Sequence, residues 1–229
     1  MKAKRVILSL LVMLSSLTGS AYSFMVDSIC YKILSNTDTE KTVAVTSNDG
    51  RYNSFKYRGE IIIPSTVSFA GITYNVTEIA WYAFYQCYDL TSVVIPNTIN
   101  SIGGYAFSNC SKLTSITLPN SIDKIERSTF MYSGLTSIQI PENVESIGDY
   151  AFYNCEELRT ISLGNVTSIG NYAFSITPNY SSGNLNVVEI PSSVISIGDY
   201  AFEYQSIQTL TLHEGLMFVY SDTQKHNLL

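Results

Sequence analysis

Asn100 to Pro119 reads NSIGGYAFSNCSKLTSITLP, Ser146 to Leu163 reads SIGDYAFYNCEELRTISL, and Ser196 to Phe202 begins the same phrase again as SIGDYAF. Aligning the chain on this phrase places Phe84, Phe107, Phe130, Phe152, Phe174 and Phe202 at equivalent positions, with steps of 23, 23, 22, 22 and 28 residues. The long step reflects a polar insertion, TPNYSSGN, from Thr177 to Asn184. A period of this size marks a repeat array, and it decides the fold before any local propensity is considered.

Each unit carries the same events around its Phe. An Ile stands five residues earlier (Ile79, Ile102, Ile125, Ile147, Ile169, Ile197), usually followed by Gly. A Leu or Ile follows the Phe (Leu90, Leu113, Leu135, Leu158, Leu185, Ile207). Apolar residues then come three and five positions further on, as Ile116 and Leu118 do after Leu113. Pro96, Pro119, Pro141 and Pro191 close four of the six units. The last two apolar positions are two apart, so they share one side of a β-strand, and Pro ends that strand because it cannot donate to a ladder. One unit holds too little apolar surface to offset the ordering of some 22 residues. Stacked units share a continuous core. The pattern therefore predicts a mainly β, right-handed solenoid whose successive strands pair in parallel about 4.8 Å apart. The Tyr-Ala-Phe-x-x-Cys segment is expected to form a short helical or 3₁₀ turn that drops Ala and Phe inward.

Working outward, residues 77–213 form the array and 214–229 a tail with no further repeat. Residues 24–76 alternate as strands at Tyr31 to Leu34, Thr42 to Thr46, Glu60 to Ile63 and Val67 to Val76, the last broken by a hairpin turn at Ala70-Gly71. Ile61-Ile62-Ile63-Pro64 reads as a first rung near 60–64. The whole region reads as an N-terminal β cap that covers the edge of the first coil. At the start, Lys2, Lys4 and Arg5 precede an apolar run from Val6 to Leu14 and a small polar stretch, the pattern of a secretory signal peptide spanning 1–23. Cleavage is expected after Ser23, with Ala21 as the alternative. Nine apolar residues are too few to span a bilayer, and no later segment is long and apolar enough to do so. Removing residues 1–23 leaves ten basic against nineteen acidic residues, a net charge of -9. An acidic surface with no basic cluster argues against nucleic acid as a partner.

The quoted repeats closely resemble the BspA-type leucine-rich repeat family of bacterial surface proteins, over residues 60 to about 213. The strands VDSICYKIL and TVAVTS also resemble the leader domain of members from Bacteroidetes-like bacteria. The resemblance implies a secreted or cell-surface protein whose partner is another protein, a host, matrix or neighbouring-cell component. The unit around Phe130 departs from the pattern: Ser128-Thr129 replaces Tyr-Ala, its Cys is missing and one residue is deleted.

No motif in the chain carries chemistry. The only histidines are His213 and His226, and HExxH, GxSxG and Gly-rich phosphate loops are all absent. Neither a catalytic nor a metal site is expected, and no cofactor is implied. Cys87, Cys110 and Cys155 share one repeat position and are expected to be buried free thiols. A bridge is geometrically open only between Cys87 and Cys110, one unit apart. Two surfaces are candidates for binding. The outward side of the main strands should carry Ser92, Val94, Ser115, Thr117, Ser137, Gln139, Thr160, Ser162, Val187, Glu189, Thr209 and Thr211, a hydroxyl-rich face able to accept a partner by hydrogen bonding. The series Tyr82, Tyr105, Tyr150, Tyr172 and Tyr200 could instead supply an aromatic stripe for protein or carbohydrate. The insertion, lying between Tyr172 and Tyr200, is expected to break that stack.

Overall fold

A computed structural model describes residues 22–47, 57–178 and 183–213. Most of the signal-peptide segment, the centre of the insertion and the tail after His213 lie outside the described residues. In chain order the strands are β1 (Phe24–Val26), β2 (Ile29–Asn36), β3 (Lys41–Thr46), β4 (Gly59–Ile62), β5 (Thr66–Phe69), β6 (Ile72–Ile79), β7 (Leu90–Val94) and β8 (Ser101–Ile102). They continue with β9 (Lys124–Ile125), β10 (Ser137–Gln139), β11 (Ser146–Ile147), β12 (Thr160–Ser162), β13 (Ser168–Ile169), β14 (Val187–Ile190), β15 (Ser196–Ile197) and β16 (Thr209–Leu212).

Two parallel ladders run along the array. The first is built from the L-x-x-I-x-L segments, and it comes in three pieces: β4 with β7, β10 with β12, and β14 with β16. The expected unbroken sheet is therefore interrupted. Two interruptions coincide with changes of repeat length. The deletion in the third rung draws its backbone so close to the second that a Cβ on Gly134 would lie 2.1 Å from the Ser111 carbonyl oxygen, and only glycine fits. The insertion separates β12 from β14. The second ladder is made of Ser-Ile or Lys-Ile dipeptides, β9-β11-β13-β15, with β8 paired to β6. It places the Ile of each unit inward, and the following Gly donates to the Ile carbonyl one rung back, as Gly148 N does to Ile125 O at 2.8 Å. A Cβ on Gly148 would lie 2.7 Å from the Arg127 backbone nitrogen, so this close approach also selects glycine.

The segment between the ladders is not helical, which corrects the expected helical turn. Tyr82, Tyr105, Ser128, Tyr150, Tyr172 and Tyr200 all have positive φ, between 54° and 60°. Gln86, Asn109, Tyr132, Asn154 and Tyr204, four residues further on in their rungs, are likewise at positive φ, between 53° and 61°. Each left-handed residue turns the local peptides over, so the N–H groups alternate in direction. In the first rung Ala83, Tyr85 and Cys87 donate back three residues to close tight turns. Tyr82, Phe84 and Gln86 donate instead to Gly104, Ala106 and Ser108 of the next rung, at 3.2, 2.8 and 2.9 Å. A helix would spend all its N–H groups within the segment. Here half of them join rungs, which offsets a left-handed cost of about 1–2 kcal/mol per non-glycine residue.

The core is a column of phenylalanines. Phe84, Phe107, Phe130, Phe152, Phe174 and Phe202 stack with centroids 5.0, 5.5, 5.3, 5.1 and 5.1 Å apart, flanked by the inward Ile and Leu of both ladders. Before the array, β1-β2-β3-β6-β5 form one sheet in which β3 and β6 run parallel, so that it passes into the second ladder through β8. Ala70 and Gly71, both at positive φ, make the hairpin turn between β5 and β6. Tyr57 lies with its ring 4.8 Å from Phe84, covering the first ring of the column. Its buried hydroxyl donates to Thr46 O at 2.7 Å and accepts from Cys30 N at 3.0 Å.

Candidate binding surface

Alternation along the first ladder turns one side chain in two toward solvent. Glu60 is in register with Ser92, and Ile62 with Val94; Ser137 with Thr160, and Gln139 with Ser162; Val187 with Thr209, and Glu189 with Thr211. Ser115 and Thr117 stand between the first and second pieces. All twelve residues of the predicted face are exposed apart from Ser92, which is half-buried. Ser115, Thr117, Ser137, Gln139, Thr160, Ser162, Thr209 and Thr211 have no side-chain hydrogen-bond partner among the described residues, so their polar groups are all available to a partner. The face is graded. Ile62, 63% exposed, and Val94, 48% exposed, make its first end apolar, whereas at the far end His213 pairs with Glu189. Sequence reasoning missed Ile62, because Ile61-Ile62-Ile63 is uniformly apolar and only the β4–β7 register shows which Ile points outward.

The tyrosines form a second column, stacked on its own members. Tyr82 and Tyr105 are 4.9 Å apart, Tyr150 and Tyr172 are 5.0 Å apart, and Tyr172 and Tyr200 are 5.0 Å apart, with ring planes within 17° of parallel. The stack therefore runs unbroken past the insertion. That corrects the expectation of a break between Tyr172 and Tyr200. The insertion leaves the rung after Ile176, downstream of the tyrosine position, and Gly183 rejoins it by pairing with Gln205. The break lies instead at Ser128, where Arg127 holds its guanidinium 5.4 Å from the centre of the Tyr150 ring. Tyr172 is covered on both faces by neighbouring tyrosines, and Tyr82, Tyr105, Tyr150 and Tyr200 are each covered on one.

All four cysteines are buried, as thiols rather than disulfides. Cys110 Sγ donates to Phe84 O at 3.1 Å and Cys155 Sγ to Phe130 O at 3.0 Å, each across to a preceding rung. Ser133 takes the cysteine position of the third rung and contacts Cys155 Sγ at 3.3 Å. Burial pushes the Cys155 thiol up to about 11, so it is protonated and inert at neutral pH. His213 meets Glu189 rather than a cysteine. No cluster of His, Cys, Asp or Glu that could hold a metal ion occurs among the described residues, and no helix there is long and apolar enough to cross a membrane.

A family model described as the BspA type leucine rich repeat region matches residues 77–182 and 179–223 with six copies. The chain belongs to this family. Solved structures of bacterial leucine-rich repeat proteins share the architecture of this BspA-type protein. The pneumococcal vaccine antigen PcpA superposes with a TM-score of 0.66 at 23% identity, covering 84% of this chain and 50% of its own. A leucine-rich repeat protein of T. pallidum gives 0.63 at 26% identity, with 83% and 82% covered. A leucine rich cell surface protein of Faecalibacterium prausnitzii gives 0.58 at 29%, with 82% and 54% covered. The BspA-type chain thus spans about half the length of the pneumococcal and Faecalibacterium proteins. Comparison with curated proteins finds no match.

Proposed function

We propose that this BspA-type chain is a non-catalytic scaffold, exported through the segment 1–23, that binds another protein outside the cell through the outward face of its first ladder. The observation that carries this reading is the row of exposed Ser, Thr and Gln side chains, from Ser115 to Thr211, with no side-chain hydrogen-bond partner among the described residues. Uncharged hydroxyls held on a packed scaffold lose little solvation and little side-chain entropy when a partner covers them. The surface character of the Faecalibacterium relative and the antigenic character of PcpA favour an extracellular setting. A host, matrix or neighbouring-cell protein is the partner class in this reading.

Carbohydrate binding by the tyrosine series fits less well. Sugars stack on ring faces, and six of the ten faces in the series are covered by neighbouring tyrosines at 4.9–5.0 Å. The test is a solid-phase screen of the protein against extracellular-matrix and cell-surface proteins, repeated with Gln139→Arg combined with Ser162→Arg. The double variant should keep its thermal midpoint and lose at least about tenfold in affinity for any protein captured, about 1.4 kcal/mol. Capture that is indifferent to the double variant, or the absence of any capture, would sink the reading.

A further inference from the structure

The last rung leaves an open edge. Where one rung follows another, backbone groups donate forward: Tyr172 N to Asp199 O at 2.9 Å, Phe174 N to Ala201 O at 2.7 Å, and in the first ladder Ile140 N to Ser162 O at 2.9 Å. The sixth rung repeats these donors as Tyr200, Phe202 and Leu212, and none of the three has a backbone acceptor among the described residues. Its ladder strand, β16, pairs with β14 alone. Thr209 N and His213 N donate back to Asn186 O and Ile190 O, at 3.1 and 3.3 Å. Successive residues of a strand point their backbone groups to opposite sides, so the N–H and C=O of Leu210 and Leu212 face away from β14. The side chains report the same edge. Leu212 occupies the position of Leu118, Ile140, Leu163 and Ile190, which are at most 6% exposed, yet it is itself 51% exposed.

We propose that β16 is a docking edge on which an extended segment of the partner protein adds as a further strand. The inference rests on the reading that the partner is a protein. Because β16 carries Thr209 and Thr211 of the face assigned to that partner, a protein seated on the face lies beside this edge. The array itself specifies what fits. The last ladder pair sets apolar against apolar on the inner side, Val188 with Leu210 and Ile190 with Leu212, and places Val187 and Glu189 opposite Thr209 and Thr211 on the outer side. The added segment therefore carries apolar residues at alternate positions, opposite Leu210 and Leu212, with polar residues between them. Main-chain hydrogen bonds to Leu210 and Leu212 supply affinity, and the alternation supplies selectivity. A second copy offers no matching first rung, because at that end Tyr57 covers Phe84 and β3 continues the ladder beyond β6.

The test uses the full protein and short labelled peptides whose core alternates Thr and Ile, against a control of the same composition with its Ile residues grouped. The alternating peptide should bind at least about tenfold more tightly than the control. Methylating its backbone nitrogens at every second residue should abolish binding in one phase and spare it in the other, because an added strand pairs through one edge. Leu212→Pro removes an edge donor and none of the bonds to β14, so it should keep the thermal midpoint and lower peptide affinity about tenfold. Leu212→Lys leaves the backbone whole and sets a charge where an apolar residue must pack; it should weaken binding as well, and it keeps the test open if the proline variant does not fold. Binding indifferent to both variants, or to the order of Thr and Ile, overturns the docking edge. A dimer in sedimentation that Leu212→Pro dissolves would give the edge to a second copy, and peptide binding strengthened by Val219→Asp would give it to the chain's own C-terminal segment; either result overturns the proposal. Gln139→Arg with Ser162→Arg should leave peptide binding intact. Protein capture that answers to that double variant and not to Leu212→Pro removes the edge alone, whereas peptide binding without any protein capture removes the reading of the face and keeps the edge.

Discussion

The phenylalanine and tyrosine columns run side by side, two residues apart in every rung and at nearly the same 5 Å step, yet one is complete and the other broken. Phe130 fills the third rung of the first column, and Ser128 leaves the third rung of the second without a ring. The difference lies in what surrounds the rings. The phenylalanines are enclosed by both ladders, so removing one opens a cavity whose walls are shared by two neighbouring rungs. The tyrosines are partly solvated, and where a ring is missing the Arg127 guanidinium lies over Tyr150. An array can therefore vary its outer column from rung to rung while its inner column stays uniform, and variation of that kind is what a recognition surface needs.

The largest effect should come from breaking the inner column. Phe130→Ala is expected to cost about 3–5 kcal/mol, seen as a lower midpoint in denaturant at constant wild-type slope if the array stays cooperative. A cost near that of an exposed residue would show that the column is not the core. Truncating the outer column should cost less and should reverse one order of preference. Tyr172→Ala loses two stacking partners and keeps the left-handed backbone penalty, for about 1–2 kcal/mol. Tyr172→Gly should be milder than Ala by up to about 1 kcal/mol because glycine adopts positive φ freely. At Phe130, which has no positive φ, Gly should be worse than Ala.

The smallest effect is a pH dependence that separates the buried interior from the outer surface. Burial raises Cys155 to about 11 from 9.0, and burial is likewise the main cause raising Tyr31 and Tyr57. For each, the folded state keeps its proton to higher pH than the unfolded chain does. Its stabilisation is complete below the unfolded value and is lost as pH rises through the folded one. The thermal midpoint should fall between pH 9 and 11, and Cys155→Ser, the residue already present at this position as Ser133, should flatten part of that slope. A midpoint that is level across this range would contradict the burial of these groups.

Much of this was open to reading from the chain. The inward set of Ile, Phe and Leu repeats in register, and a buried position must be apolar whichever rung it occupies, so Phe84 to Phe202 announce themselves. The hydroxyl face followed from alternation alone. The second ladder did not, because a strand of two residues such as Ser146–Ile147 carries no periodicity to detect. The left-handed turns did not either, since Tyr is not a residue that signals positive φ.

The sequence by itself determined the number of rungs, the composition of the core and the family, because each depends on burial, which side-chain chemistry reports directly. Only the tertiary structure decided how the Tyr-Ala-Phe segment folds, where the first ladder breaks and that the tyrosine stack runs past the insertion. Those features depend on hydrogen bonds and ring contacts between residues about 22 apart. A helical turn satisfies an isolated rung locally, and the alternating conformation is favoured only when the next rung is in place to accept Tyr82, Phe84 and Gln86.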